Sequence, residues 1–396
     1  MKIVIAPDSY KESLSAMEVA TEIERGFRQV LPNADYIKVP VADGGEGTVQ
    51  SMVDATEGKL VTLSVIGPLG NRVEAHYGIL GQRRHALGDS SNQSDAMAQA
   101  HTAIIEMASA SGLHHVPLEQ RNPLLTTSYG TGQLIRHALD AGINHIIIGL
   151  GGSATNDGGA GMLQALGAQL IDQNGNEIAA GGAALATLKR IDISGLDPRL
   201  SHCHIEVACD VDNPLCGDKG ASAIFGPQKG ATPTMVAQLD AALAHFADIT
   251  RAAGLAECRD IAGAGAAGGM GFAVLAYLKG ELKPGIDIVM QTVNLAAIIR
   301  GADLVITGEG RLDSQTLHGK TPMGVAREAN KQGIAVIAIA GCVSDDANVL
   351  LNHGFCALFS TTPRAMPLNQ VLASAKHNLY STSVSIAALY NTNRTR

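Results

Sequence analysis

The sequence predicts an α/β protein of two domains: a discontinuous Rossmann-like domain whose parallel sheet is built from both chain ends, and a second α/β domain inserted into it. Three observations carry this. Residues 2–6 form a nearly continuous apolar run closed by Pro7-Asp8, the pattern of a strand buried on both faces. The C-terminal third repeats the same strand–loop–helix rhythm. Between them lies a long segment with turn and helix signals of its own, and 396 residues exceed one ordinary core of roughly 100–200 residues.

After the first strand, Asp8-Ser9-Tyr10-Lys11-Glu12-Ser13 leads to a helix. Ala16, Met17, Val19, Ala20, Ile23 and Phe27 recur at helical spacing, and Ser15 with Glu18 forms a capping box. Residues 36–41 alternate as a second strand, with Ile37, Val39 and Val41 on one face. It ends in Asp43-Gly44-Gly45-Glu46-Gly47-Thr48, before a helix carrying Val49, Met52 and Val53. Gly67-Pro68-Leu69-Gly70-Asn71-Arg72 is turn chemistry, and the alternating Val73, Ala75 and Tyr77 indicate a hairpin. Residues 82–100 are polar and read as an exposed loop. Strands are expected at 143–150 and 204–208. Glycine is too dense across 263–271 for regular structure, so that run reads as a loop feeding a close-packed helix start. Leu304-Val305-Ile306 is a strand, and Thr321-Pro322 reads as an N-cap followed by proline at the first helical position of a helix that stops at Gly333. Residues 334–340 and 356–359 are further strands, and one last helix covers about 368–389.

Two N-terminal strands cannot make a sheet covered on both faces, and three C-terminal strands have the same need. Joined, they give five parallel strands with helices on both sides. The expected division is residues 1–66 with 286–396 for the Rossmann-like domain and 67–285 for the insert. Two sequential domains are the simpler alternative.

Composition narrows the function. Apolar residues make up 46% and charged residues 17%, which suits packed cores and not a disordered chain. The net charge is −8 without a basic run, and aromatics are 3% without Trp, so nucleic acid and anionic membrane surfaces are disfavoured as partners. No stretch approaches ~20 apolar residues and the first apolar run is too short for a secretory signal, so a cytoplasmic location is expected. Cys203, Cys209, Cys216, Cys258, Cys342 and Cys356 contain no C-x-x-C pair and are expected as buried, reduced thiols; a metal site on Cys209 and Cys216 is the sharper alternative. His114, His115 and His318 are expected to be structural.

In open α/β sheets, ligands bind off the carboxyl ends of the strands. Three loops there carry charge and exposed amides: Ser9 and Lys11; Asp43, Gly44, Gly45 and Glu46; and Gly308, Glu309, Arg311 and Asp313. Phosphoryl transfer needs that set, because carboxylates hold Mg2+ while cations and amides balance phosphate charge. The densest loop, 149–161, follows Ile146-Ile147-Ile148 and feeds a helix; its glycines suit an anion site, with Gly152, Ser153, Thr155, Asn156 and Asp157 as candidate ligands. Asp210 and Asp212 share a direction if the 204–208 strand continues, which suits Mg2+ or a general base; an Asx turn before Pro214 explains them nearly as well. Two motifs need weighing. Residues 314–321 miss the P-loop pattern at Ser314, where glycine is required, leaving Lys320 as a phosphate cation. Residues 263–268 formally match G-x-G-x-x-G without a strong strand before them, the basis of a rival reading as a nicotinamide-dependent hydroxy-acid dehydrogenase.

At these loops the chain resembles the type-1 glycerate kinase family. The matching segments are Pro7-Asp8-Ser9-Tyr10-Lys11-Glu12-Ser13-Leu14-Ser15, Pro40-Val41-Ala42-Asp43-Gly44-Gly45-Glu46-Gly47-Thr48, Thr126-Thr127-Ser128-Tyr129-Gly130-Thr131-Gly132 and residues 151–161. They continue with Asp210-Val211-Asp212-Asn213-Pro214-Leu215, Phe225-Gly226-Pro227-Gln228-Lys229-Gly230-Ala231, residues 263–271 and Thr307-Gly308-Glu309-Gly310-Arg311-Leu312-Asp313-Ser314-Gln315. The resemblance spans nearly the whole chain. It implies ATP-dependent phosphorylation of D-glycerate with Mg2+, and a Rossmann-like domain from both chain ends with an inserted α/β domain. It also implies 2-phospho-D-glycerate as product, with 3-phosphoglycerate as the alternative. Residue roles follow from the site reasoning: Lys11, Asp43, Asp210, Glu309 and Arg311 are the catalytic candidates, and Asp210, Asp212 and Glu309 the Mg2+ set. A homo-oligomer is left open. Residues 82–100 are longer than usual for the family, and Ala262 stands where relatives often carry Pro. A catalytically inactive acid sensor on the same scaffold is the non-enzyme alternative, and the intact carboxylates speak against it.

Overall fold

The computed structural model describes residues 1–81 and 102–392; the loop expected at 82–100 lies outside them. The chain divides into two compact units, one of Met1–Asp43, Gln50–Glu57 and Ile286–Arg396, the other of Gly44–Val49 and Gly58–Gly285.

The first unit holds a five-stranded, all-parallel sheet of Lys2–Ile5, Asp35–Lys38, Leu304–Thr307, Val336–Ala340 and Ala357–Ser360. Numbered in chain order, the strands lie 2-1-3-4-5 across the sheet, a doubly wound arrangement drawn from both parts of the chain. Ile3, Ile5, Leu304, Ile306, Ile337 and Ile339 pack with Val19, Ile23, Phe27, Leu379 and Ile386 from helices Ala16–Val30 and Ala375–Thr392. Strand side chains alternate between faces, and the intervening Val4, Val305 and Ala338 are equally buried. Helix Thr321–Asn330 packs on strands Leu304–Thr307 and Val336–Ala340. Burial on both faces is why these strands read as unbroken apolar runs. Ser15 caps its helix as expected, its Oγ accepting from Glu18 N while the Glu18 carboxylate accepts from Ser15 N.

The second unit is built on a six-stranded mixed sheet, ordered Glu281–Lys283, His204–Ala208, His145–Gly149, Thr102–Glu106, Arg72–Ile79, Lys59–Ile66. The first four strands are parallel, and the last two form the antiparallel hairpin expected from its turn, closed by Gly67 N donating to Asn71 O at 2.7 Å. Its core gathers Ile105, Ile146, Ile148, Val207, Leu243, Phe246 and Phe272, among others.

Several local expectations differ. The strand expected to run to residue 41 ends at Lys38. The strand Lys59–Ile66, expected with the chain ends, belongs to the second unit's sheet, because its hairpin turn ties it to Arg72–Ile79. The last helix is two, Leu368–Ala373 and Ala375–Thr392. The helix expected to stop at Gly333 ends at Asn330, and its N-cap is Lys320 in place of Thr321. Only Cys258 of the six thiols is buried; Cys342 and Cys356 are exposed.

Candidate active site

In the first unit, charged loops collect at the carboxyl edge of the sheet, where the strand order reverses between Lys2–Ile5 and Leu304–Thr307. Neighbouring loops diverge at such a point and leave a crevice. Asp8 follows one strand and Glu309 the other, and Asp8 N donates to Gly308 O at 2.8 Å, continuing the sheet into the loops. Gly308 is required there, because a Cβ would fall on the Ile339 carbonyl oxygen. Buried Tyr10 fixes the preceding loop by donating its hydroxyl to that same oxygen at 2.7 Å.

Each carboxylate is held by a hydroxyl. Thr321 Oγ1 donates to Asp8 Oδ2 at 2.9 Å, and Ser9 N donates to Asp8 Oδ1 at 2.6 Å. Thr316 Oγ1 donates to Glu309 Oε1 at 2.8 Å. Lys320 Nζ lies 3.7 Å from both Glu309 Oε2 and Asp313 Oδ1. Burial, reinforced by the charge of Asp43, pushes the Asp8 carboxyl up to about 6. Burial, with repulsion from Asp8 and Asp313 opposed by Thr316 and Lys320, pushes Glu309 up to about 7. Burial is the larger cause of both shifts, and the neighbouring carboxylates add to it. Arg311 stands at the margin, its side chain 67% exposed, 3.5 Å from Asp313 and bonded to Ser344 Oγ. Lys11 is exposed and acts electrostatically on Asp8.

In the second unit, three features sit at the carboxyl ends of the parallel strands. Glu106 accepts from Val49 N at 2.8 Å and from Gly47, holding the Gly44–Val49 loop that carries Glu46; burial raises its carboxyl. The 149–161 loop turns inward. Asp157 is 1% exposed, and its carboxylate accepts from Ser128 N and Oγ, Gly159 N and Gly161 N. The anion for which those amides are suited is thus the chain's own carboxylate. Thr155 and Asn156 are buried too, while Gly152 is exposed and Ser153 nearly covered. Lys229, 1% exposed, donates from Nζ to Thr155 O at 2.6 Å, and burial lowers its ammonium to about 7. The strand before Asp210 ends at Ala208, so the shared direction expected for Asp210 and Asp212 is not built by strand geometry. Asp210 Oδ1 accepts from Gly285 N at 2.9 Å.

The sequence-predicted residues thus fall into two groups. Ser9, Lys11, Asp43, Gly308, Glu309, Arg311, Asp313 and Lys320 belong to the first unit; Gly44, Gly45, Glu46, Gly152, Ser153, Thr155, Asn156, Asp157, Asp210 and Asp212 belong to the second. The Mg2+ set of Asp210, Asp212 and Glu309 divides between them. Sequence reasoning missed Thr316, Thr321 and Lys229 as site-forming groups, and left Asp8 out of its candidate roles. A carboxylate directly after a buried strand was the available signal for Asp8. The G-x-G-x-x-G match has a structural explanation: turns precede it in place of a strand, and a Cβ at Gly268 would collide with Thr155 O. No helix among the described residues is long and apolar enough to cross a membrane.

Comparison with known proteins agrees with this architecture. A family model described as the glycerate kinase family matches residues 3–391. The glycerate kinase of Bacillus subtilis (strain 168) is 56% identical over 388 residues, covering 98% of this chain and 97% of that protein. The glycerate 2-kinase of Escherichia coli (strain K12) is 55% identical over 388 residues, with the same coverage. A crystal structure from Salmonella typhimurium LT2, described as a glycerate kinase 2, superposes with a TM-score of 0.88 at 55% identity, covering 100% of this chain and 99% of that one.

Proposed function

Because this chain belongs to the glycerate kinase family, we propose that it transfers the γ-phosphoryl group of ATP to the 2-hydroxyl of D-glycerate, giving 2-phospho-D-glycerate and ADP. The observation that carries the reading at the level of chemistry is the crowding of Asp8, Asp43 and Glu309 beside Lys320 at the switch point of the parallel sheet. The likeness to a glycerate 2-kinase supports the acceptor and the position. The dehydrogenase alternative has no support left, since its one motif is used for packing.

The donor set fits Mg2+. Its atoms are hard carboxylate oxygens, and burial with repulsion from Asp43 raises the Asp8 carboxyl that stands beside it. Asp8 and Asp43 would hold the ion. Mg2+ held there would offset negative charge on the transferred phosphate. The chain's own groups do the rest. Glu309, near neutrality, accepts the proton of the attacking hydroxyl, because a base works best when its pKa lies near the working pH. Lys320 and Lys11 balance charge on the phosphoryl oxygens, and Arg311 takes the glycerate carboxylate. The phosphoryl transition state is loose, so positioning and charge balance matter more than base strength.

A coupled assay tests this. Glycerate-dependent ADP release is expected, and the product should be consumed directly by enolase, which accepts the 2-phosphate and not the 3-phosphate. ATP turnover indifferent to glycerate would remove the proposal.

A further inference from the structure

At the opposite, amino-terminal edge of the second unit's sheet lies a group the kinase chemistry does not use. His145 and His204 are the first residues of adjacent parallel strands and are register partners. Glu206 is two residues beyond His204, so it shares a face with it. Among the described residues, these three form a group of possible metal ligands whose donor atoms all lie within 4.8 Å of one another.

We propose that His145, His204 and Glu206 form a binding site for a divalent transition metal such as Zn2+. His145 Nε2 lies 2.8 Å from Glu206 Oε2, and His204 Nε2 lies 3.9 Å from the same oxygen. Ligands around a tetrahedral Zn2+ at its usual bond lengths stand about 3.3 Å apart, so the two separations bracket the required value. The outer contacts also suit a ligand set. Thr102 Oγ1 lies 3.1 Å from His145 Nδ1, so with a metal on Nε2 the Nδ1–H would have an acceptor that fixes the ring. Lys283 Nζ holds the other carboxylate oxygen, Glu206 Oε1, at 2.6 Å, which leaves Oε2 as a single donor. Lys283 is itself shared with Glu281 at 2.8 Å, so its charge is offset beside the site. Three protein ligands leave the fourth position to water. Two imidazoles and one carboxylate favour Zn2+ over Mg2+, which prefers all-oxygen shells. Because the ligands stand on paired strands, the site is preorganised.

The test is isothermal titration of the full chain with ZnCl2, after the exposed thiols of Cys342 and Cys356 have been alkylated. One saturable site is expected, weakened at least tenfold in His204→Ala and in His145→Ala. His204 is exposed and makes the longest contact, so His204→Ala is expected to fold and to keep its glycerate kinase turnover. Absence of a saturable site in the unsubstituted chain, or unchanged affinity in His204→Ala, overturns the proposal.

Discussion

Thr321 Oγ1 donates to Asp8 Oδ2 at 2.9 Å across 313 positions of sequence, joining the first turn of a C-terminal helix to the loop after the first strand. The bond stabilises the ionised carboxylate against the burial and the Asp43 charge that raise it. Removing it in Thr321→Val should push the Asp8 carboxyl higher still. The acidic limb of the pH–rate profile should move to higher pH, and turnover at pH 6 should fall more than turnover at pH 8. An unshifted limb with uniformly reduced turnover would mean Thr321 acts only on packing.

Glu309 and Asp8 make a stability prediction with a definite sign. Both ionise at higher pH in the fold than in the unfolded chain, so the folded state binds more protons between the two values. Their contribution to stability is full below about pH 4 and is lost as pH rises through about 6 to 7. Glu309→Gln keeps an acceptor for Thr316 and removes the charge. It should raise stability at pH 8 by about 1–3 kcal/mol and make little difference at pH 4, while glycerate kinase turnover falls. Thermal melts of both proteins across that range read it directly.

Lys229 holds the Thr155 carbonyl from inside the second unit, beside the loop closed by Asp157. Lys229→Met leaves that buried carbonyl without its donor, a loss of about 1–3 kcal/mol partly offset by removing a buried amine. Global stability should change little, amide exchange across 151–161 should quicken, and kcat/KM should drop at least tenfold. Unaltered exchange in that loop would argue against the positioning role.

Gly268 and Gly47 separate two reasons for glycine. Both have positive φ, but a Cβ at Gly268 would strike Thr155 O while one at Gly47 meets nothing within 4 Å. Gly268→Ala should cost more than about 3 kcal/mol, and Gly47→Ala only about 1 kcal/mol of backbone strain. Chemical denaturation of the two variants compares them.

The sheet of the first unit was legible because strands buried on both faces must be apolar throughout, as 2–6 and 334–340 are, and because the loops Pro7-Asp8 and Thr307-Gly308 punctuate them. The hairpin strand Lys59–Ile66 was assigned to the other domain because it stands at a sheet edge with one open side, which leaves no continuous signal. Charged loops directly after the strands at Asp8 and Glu309 were legible. The hydroxyls that govern them were not, because Thr316 and Thr321 resemble ordinary turn and cap residues until distant strands bring Glu309 and Asp8 to them. Asp157 read as a ligand for phosphate since composition cannot reveal whether a glycine-rich loop presents its amides outward or closes them on its own carboxylate.

The carboxylates at the switch point are proposed to perform the transfer to glycerate. Steady-state ADP release with saturating ATP, Mg2+ and D-glycerate, measured from pH 5.5 to 9 for the unsubstituted chain and Glu309→Gln, tests it most directly. A rise in turnover through an apparent pKa near 7, abolished in a folded Glu309→Gln, is the predicted result. Turnover in Glu309→Gln within a factor of about three of the unsubstituted chain, with the same pH dependence, would contradict it.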